Sequence, residues 1–354
     1  LAFNSTFFLY AAMLDVGPWN ERAHYLANGL LMYVLLIQLL VSLFKISVKS
    51  KYRSYYFYYG LFIIPTIPAA FGVDWILGLS PFNLSPDVSV FILGVLLSGQ
   101  TLAFLLKLED LNETRNVIYD LVCIVLLAVI GVTVKLNFSF LSGVCLLLVF
   151  GVWFVKRSHQ LKDKVVVTTI LAVVSSLGLL IPWMIRNIIL SGYLIYPVAM
   201  TAVSVLWQIP RSLTIIEANV IRGWGRQPRV FWGELIGNMN WLQSWFDAVP
   251  NYIIMPLELT LLALLGIGVF CGLNKLSRIQ QNYIYIHWLF LLLPIMAIIL
   301  WFISSPNPRF AGPLFWILAT GTIVLMVEQI VQMYHLENLF PFISYLFFVV
   351  IFLY

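Results

Sequence analysis

Long apolar runs separated by short polar breaks dominate the chain. Twelve candidate runs, some irregular, approach the roughly 20 residues that a helix needs to cross a bilayer, and from them we expect about eleven spans or re-entrant segments. They lie near residues 1–14, 25–44, 54–73, 87–106, 117–134, 136–155, 165–182, 188–206, 251–272, 281–303 and 310–327, with a last run from 339. The pattern predicts an all-α fold, a polytopic bundle of transmembrane helices that forms one domain over 1–354. Both ends fall inside apolar runs, so we expect a longer chain, truncated here at one or both ends.

Two of these runs contain residues that interrupt helices. Ser191-Gly192 and Pro197 lie within 188–206, so we expect this segment to be broken or re-entrant. Pro182 lies at the end of 165–182, and we expect it to break the helix there.

Composition restricts the class of protein further. Of the 354 residues, 62% are hydrophobic and 10% are charged, whereas about 25% are charged in an ordinary soluble domain. Soluble enzymes, disordered chains and nucleic-acid-binding domains are therefore excluded. The three cysteines and four histidines are scattered, which argues against a disulfide framework or a metal-binding cluster.

The charges suggest an orientation in the membrane. If the loop 45–53 is cytoplasmic, twelve of the 20 Lys and Arg residues fall in short cytoplasmic loops, as the positive-inside rule expects. The other eight lie on the outer side, four of them in the long loop 207–250. This loop also holds five of the twelve tryptophans, so we expect amphipathic helices along the outer membrane surface, with Arg222 and Arg226 available for binding.

Outer-side cations are the candidates for an anion site. Arg186 and Asn187 follow Pro182-Trp183, and Arg309 ends the motif Ser304-Ser305-Pro306-Asn307-Pro308-Arg309. Arginine offers a planar fork of donors that suits phosphate. Lys135, in a tight outer turn, adds positive charge to the same pocket in this interpretation. The alternatives are interfacial anchors and snorkelling side chains, and for Arg309 a helix-initiating turn.

Two outer carboxylates are candidates for a general base. Asp87 begins a span after Ser85-Pro86, and Asp15 ends another in Asp15-Val16-Gly17-Pro18-Trp19. A general base must lie within hydrogen-bond reach of its acceptor. For Asp87 the alternative is helix capping. The sequence leaves the choice between the two open.

The motif Pro-Trp-x-x-Arg-Asn followed by Ser-Gly-Tyr-x-x-Tyr-Pro, over 182–197, resembles a pattern in the GT-C glycosyltransferase superfamily. The closest likeness is to an uncharacterised bacterial, partly cyanobacterial, family of GT-C-like multi-pass membrane proteins. It also covers the motifs at Asn4–Phe8, Asp15–Trp19, Ser85–Asp87, Thr133–Leu136 and Pro306–Phe310.

The resemblance implies an enzyme of the bacterial plasma (inner) membrane that takes a sugar from a polyprenyl-phosphate donor at the non-cytoplasmic face. Arg186 and Arg309 would match the donor-phosphate ligands of the family, and the residue chemistry adds Asn187 and Lys135 to them. The catalytic acid of characterised relatives usually lies in the first outer loop, which we expect to precede Leu1, so the resemblance does not place the base and Asp87 and Asp15 remain the candidates within this sequence. The implied partners are the lipid bilayer and the lipid-linked sugar, with no nucleic acid. The resemblance assigns no definite cofactor and leaves a divalent cation open, as in some relatives, although the sequence shows no clear ligand set for one.

Three other interpretations stay open at this point. A transporter or flippase of a lipid-linked saccharide would also use broken helices. An O-antigen polymerase or ligase would depend on the outer-loop cluster from Arg222 to Arg229. A structural membrane subunit would leave all of these arginines dispensable.

Overall fold

The structure is a computed structural model that describes residues 5–47, 53–71, 85–108, 114–156, 162–273 and 288–342. Every regular element within these ranges is a helix, and the only bridge among them is an isolated antiparallel pair between Tyr193 and Ala202. The all-α prediction is confirmed for this part of the chain.

Fifteen α-helices occur in the described ranges. In chain order they are α1 (Thr6–Met13), α2 (Ala23–Ser47), α3 (Arg53–Ile63), α4 (Thr66–Phe71), α5 (Pro86–Lys107), α6 (Thr114–Val134), α7 (Ser139–Lys156), α8 (Lys162–Ser191), α9 (Arg211–Arg226), α10 (Trp232–Leu235), α11 (Trp241–Asp247), α12 (Asn251–Leu273), α13 (Leu292–Ser304), α14 (Pro308–Ala311) and α15 (Leu314–Tyr334). Short 3-10 turns lie at Gly17–Trp19, Leu136–Phe138, Ala199–Thr201, Leu289–Leu291 and Leu336–Leu339.

Several helices have the dimensions of membrane spans. Six stretches are long and apolar enough to cross a bilayer: Leu26–Ser47, Pro86–Lys107, Leu136–Val155, Ile170–Ser191, Asn251–Val269 and Leu314–Gln332. Tyr119–Val134 and Leu289–Ser304 are shorter apolar helices. By length and composition the chain is a membrane protein, and the number of eleven spans stays a prediction.

The proline positions change two of the expected boundaries. The segment 54–73 contains two helices, α3 and α4, because Pro65 lies between them and has no N–H to continue the ladder. The expected break at Pro182 is wrong, since α8 runs through this residue to Ser191. Prolines are tolerated in membrane helices when neighbouring groups take over the freed backbone carbonyls. The chain leaves the helix instead at Gly192, where φ is +79°.

Helix α5 lies at the centre of the bundle and packs against α2, α3, α6 and α7. Its span is 94% buried inside the protein, which leaves almost no surface for lipid. A Cβ at Gly94 would overlap Pro313, and one at Gly99 would lie 3.0 Å from the Tyr59 ring. These two glycines therefore let α5 approach its neighbours closely.

The loop 207–250 contains the amphipathic helices expected there. On α9 the residues Leu213, Ile216, Val220 and Trp224 are all exposed, and their spacing places them on one face of the helix. The expectation of an interfacial position is wrong for Trp241 and Trp245, which are buried. Both pack against Phe302, which offers an aromatic partner inside the protein.

Candidate functional site

Three charged side chains from distant parts of the chain meet in one cluster, the ion triad Asp87, Lys135 and Arg309. Lys135 Nζ donates to Asp87 Oδ1, and Arg309 Nε donates to Asp87 Oδ2 at 2.5 Å. The Asp87 side chain is only 4% exposed, whereas that of Arg309 is 50% exposed. The fold thus brings together three of the candidates from the sequence.

The start of α5 positions Asp87. Ser85 is the N-cap residue, and its hydroxyl accepts a hydrogen bond from the Asp87 backbone N–H at 3.3 Å. Pro86 occupies the first helical position, where its missing N–H costs nothing. The capping role considered for Asp87 therefore belongs to Ser85, and Asp87 lies in the first turn, where the helix dipole favours a carboxylate.

Two tight turns position the cations. Lys135 has an extended backbone between α6 and the turn Leu136–Phe138, and its ammonium group lies 4.5 Å from the centroid of the Phe310 ring. Arg309 belongs to α14, where the Asn307 side chain accepts a hydrogen bond from the Arg309 backbone N–H at 3.0 Å. The motif Asn-Pro-Arg is thus a capped helix start that directs Arg309 towards Asp87.

The triad holds more positive than negative charge. Both carboxylate oxygens of Asp87 are engaged, one by each cation. The two Nη groups of Arg309 make no hydrogen bond to any described residue. Charges interact more strongly away from bulk water, so the surplus cation favours binding of an anion. This geometry supports Asp87 as the residue that holds the two cations in place.

The loop 207–250 is fastened to the turn that carries Arg309. Trp245 Nε1 donates to the Pro306 carbonyl at 2.6 Å, and Ser305 Oγ donates to the Ile221 carbonyl at 3.1 Å. A Cβ at Gly225 would overlap Ser305, so glycine is needed for this close contact. Helices α9 and α11 therefore cover the end of the bundle at which α5 begins and α6 ends, which we call the triad end.

Arg226 has a structural contact that Arg222 lacks. Arg226 Nη1 donates to the Leu235 carbonyl at 2.6 Å, and its guanidinium lies 5.2 Å from the centroid of the Trp241 ring. Burial, and then the charge of Arg222, lower the pKa of the Arg226 guanidinium. Arg222 is exposed. Arg226 thus joins α9 to α10 and α11, and the outer-loop binding role predicted for both arginines stays a prediction.

Arg186 and Asn187 lie near the end of α8, and no hydrogen bond among the described residues joins Arg186 to the ion triad. Arg186 Nη1 is buried and has no hydrogen-bond partner in the described part of the chain. The Asn187 amide donates to the Leu194 carbonyl at 3.1 Å, which ties the loop after α8 to the helix. A phosphate-binding role for both residues stays a prediction.

Asp15 lies after α1, a helix anchored beside Lys135. Ser5 Oγ donates to the Val134 carbonyl at 2.6 Å, and the hydroxyls of Thr6 and Thr133 are 3.1 Å apart. Asp15 Oδ1 is buried and has no hydrogen-bond partner among the described residues. Of the two candidate bases, Asp15 is therefore the one with an unengaged carboxylate oxygen.

Several buried polar atoms without a hydrogen bond lie near the triad. Within the described ranges, six side-chain N or O atoms are buried without a hydrogen bond, and buried polar groups are normally paired. One of them, Ser98 Oγ, lies inside α5. Three of the others belong to Asn137, whose amide donates to the Phe310 carbonyl, to Arg226, on the helix fastened to Ser305, and to Tyr252. The remaining two belong to Asp15 and Arg186.

Some polar residues of this region were missed in the sequence. The Asn28 amide donates to the Ser85 carbonyl at 3.2 Å, and Ser89 Oγ donates to Asn28 Oδ1 at 2.7 Å. Tyr252 is buried in the first turn of α12. A polar side chain within an apolar span was the available signal for Asn28, whereas Tyr252 resembles an ordinary interfacial aromatic residue.

The described residues around the triad include one small pocket and no group of metal ligands. Among the residues that the structure describes, no three His, Cys, Asp or Glu side chains are grouped so that they could hold a metal ion. A small, mostly apolar pocket lies beside the triad, with Asn137, Trp301 and Phe310 in its wall.

Comparison with known proteins identifies the family. Residues 1–316 match the family described as a domain of unknown function, DUF8201. No curated protein matches the chain, and no solved structure does. The match covers most of the chain, which therefore belongs to the DUF8201 family.

Proposed function

We propose that this DUF8201 family member is an integral membrane glycosyltransferase that uses a polyprenyl-phosphate-linked sugar, and that the ion triad binds the donor phosphate. The observation that carries the proposal is the surplus cation of the triad. Asp87 neutralises one of its two partners, and Arg309 remains half exposed with both Nη groups uncommitted. Paired arginine donors are well suited to phosphate oxygens.

The location of the site suits a lipid-borne substrate. The triad lies at the ends of the candidate span Pro86–Lys107 and the apolar helix Tyr119–Val134, under helices that expose an apolar stripe. The positive-inside rule assigns this end to the non-cytoplasmic side. A phosphate group at this depth would keep its polyprenyl chain in the bilayer, which favours a lipid-linked donor over a soluble nucleotide sugar.

The proposed reaction is an inverting transfer. A carboxylate takes the proton of the acceptor hydroxyl, whose oxygen then attacks the anomeric carbon of the sugar. The bond from this carbon to the phosphate oxygen breaks, and the lipid phosphate leaves as an anion. Arg309 and Lys135 stabilise the charge that develops on the leaving group. We assign the base to Asp15, because both oxygens of Asp87 are held by cations.

Native mass spectrometry of lipids retained in nanodiscs tests the donor site. The wild type should retain a polyprenyl-phosphate sugar, and Arg309→Ala and Arg186→Ala should lose it. Arg211→Ala is the matched control, since Arg211 is an exposed arginine at the start of α9. Equal retention by the wild type and Arg309→Ala would contradict the donor site at the triad. Equal retention by Arg186→Ala would remove only that residue from it.

A transfer assay with the retained lipid then separates the enzyme from a flippase. We expect a new glycosidic bond, formed about 10²–10³-fold more slowly by Arg309→Ala, which is the usual effect of losing one donor to a developing anion. Movement of the lipid across a vesicle membrane without a new bond would instead identify a transporter.

A further inference from the structure

The Tyr252 hydroxyl is an unexplained group at the triad end. The residue is 6% exposed, and its hydroxyl oxygen has no hydrogen-bond partner among the described residues. A phenol in a protein interior normally finds such a partner, because its O–H loses water when it is buried. The fold thus places a polar group where it gains nothing from the residues around it.

The charges of the triad reach this hydroxyl. Asp87 and Arg309, two of the three triad residues, are near enough to act electrostatically on Tyr252. The packing explains this proximity. Trp245 of α11, shortly before α12 begins, donates a hydrogen bond to the Pro306 carbonyl in the turn before Arg309, which brings this part of the chain to the triad end.

Neither neighbour completes the hydrogen bonding of Tyr252. Both oxygens of Asp87 are taken by Lys135 and Arg309, and a guanidinium has no acceptor. The Tyr252 O–H and the two Nη groups of Arg309 are therefore all donors without an acceptor. A single group with several acceptor oxygens and a negative charge would satisfy them together.

We infer that the Tyr252 hydroxyl binds the phosphate group of the substrate, as a neutral donor beside Arg309. This inference rests on the proposed function, because it takes the triad as the phosphate site. In this inference Arg309 and Lys135 supply positive charge, and the Tyr252 hydroxyl donates a directional hydrogen bond to one phosphate oxygen. Tyr252 is thus a ligand-binding residue, and its loss should weaken binding without weakening the fold.

The test is a binding titration of the full chain in nanodiscs with a polyprenyl monophosphate as the probe. Tyr252→Phe removes only the hydroxyl, and we expect its Kd to rise about tenfold, as for one lost hydrogen bond to a charged group. Tyr33→Phe is the matched control, because Tyr33 is an exposed tyrosine on α2. The Tm of Tyr252→Phe should equal or exceed that of the wild type.

The outcomes separate this inference from the proposed function. If the wild type binds the probe and Arg309→Ala does not, but Tyr252→Phe binds as tightly as the wild type, the role of Tyr252 is overturned and the triad site stands. A lowered Tm with unchanged Kd would also overturn it, in favour of a structural hydroxyl. If the wild type fails to bind the probe, the proposed function fails and this inference fails with it.

Competition with inorganic phosphate identifies the recognised group. Displacement of the lipid from the wild type, with a weaker effect of phosphate on Tyr252→Phe, would show that the hydroxyl recognises phosphate itself. A competitor effect that is equal in both proteins would contradict a contact between Tyr252 and the phosphate.

Discussion

Two buried carboxylates, Asp87 in the first turn of α5 and Asp120 of α6 beside the other end of α5, differ in how their charge is balanced. At the triad end Asp87 is paired with two cations, Lys135 and Arg309. At the opposite end Asp120 accepts from Lys107 Nζ at 2.8 Å and from the neutral amide of Gln100 at 2.7 Å. The first cluster has a net positive charge, and the second is neutral.

The lysines of the two clusters have similar surroundings. Lys107 lies 4.6 Å from the centroid of the Tyr55 ring and Lys135 4.5 Å from that of Phe310, and their side chains are 20% and 21% exposed. The clusters differ in their other groups. Around Asp120 the charges and hydrogen bonds are complete, as in a structural ion pair. Around Asp87 a half-exposed guanidinium and a buried phenol keep unused donors. If the triad binds the anion that we propose, surplus charge and unmet donors, more than burial, distinguish it from a structural ion pair.

The largest effect is expected from removing the charge of Asp87. Asp87→Asn leaves Lys135 and Arg309 close together without their anion, and breaking a buried ion pair in this way typically costs about 3–5 kcal/mol. We expect this loss in the free energy of unfolding, measured by SDS titration of the protein in mixed micelles. Asp247→Asn, at an exposed carboxylate of α11, should be neutral.

A further measurement on Asp87→Asn distinguishes a phosphate-binding triad from a purely structural ion cluster. Removal of the carboxylate makes the net charge of the cluster more positive by one unit. Addition of a polyprenyl phosphate should therefore reverse part of the decrease in Tm that the substitution causes. Absence of any such rescue would indicate that the cations serve only to hold Asp87.

A smaller effect is expected at the opposite end of α5. Asp120→Asn leaves a single cation, and Lys107 lies at the helix end, where its long side chain can reach water. We expect a loss of about 1–3 kcal/mol in the free energy of unfolding, the usual cost of an unpaired buried group. Lipid binding should stay at the wild-type level. Loss of binding in Asp120→Asn with an unchanged Tm would contradict the distinction between the clusters.

The sequence predicted the helical class and the individual residues of the triad. Apolar runs of sufficient length imply helices because a bilayer leaves no other partner for backbone groups. Asp87, Lys135 and Arg309 were recognisable because charged residues are rare next to such runs. Their pairing depends on how α5, α6 and α14 pack, and no local pattern encodes that distance. For the same reason the engagement of both Asp87 oxygens, which disfavours it as a base, emerged only from the fold.

The misjudged residues share a physical cause, since each is controlled by tertiary packing. Pro182 continues α8 although proline interrupts a helix by its own geometry. Trp241 and Trp245 are buried although tryptophan favours the interface, because Phe302 provides an aromatic surface inside the protein. Tyr252 was missed because an interfacial tyrosine and a ligand-binding one have the same sequence context. Local propensity therefore located the segments of the site, and packing decided the role of each side chain.

The smallest effect is expected from loosening the cover of the triad end. Trp245→Phe keeps the aromatic packing against Trp301 and Phe302 but removes the N–H donor to the Pro306 carbonyl. Its loss should lower the free energy of unfolding by about 1 kcal/mol, the typical value for one hydrogen bond. Because the turn at Pro306 carries Arg309, we also expect weaker binding of a polyprenyl phosphate, by a few-fold.

Trp207→Phe is the control for this change, since Trp207 is exposed and donates to the Ile188 carbonyl, away from the turn. It should lose a similar hydrogen bond without any change in Kd. If both variants alter Kd equally, the outer loop does not position Arg309. If only Trp245→Phe raises the Kd, the position of Arg309 at the triad end depends on the helices that cover it.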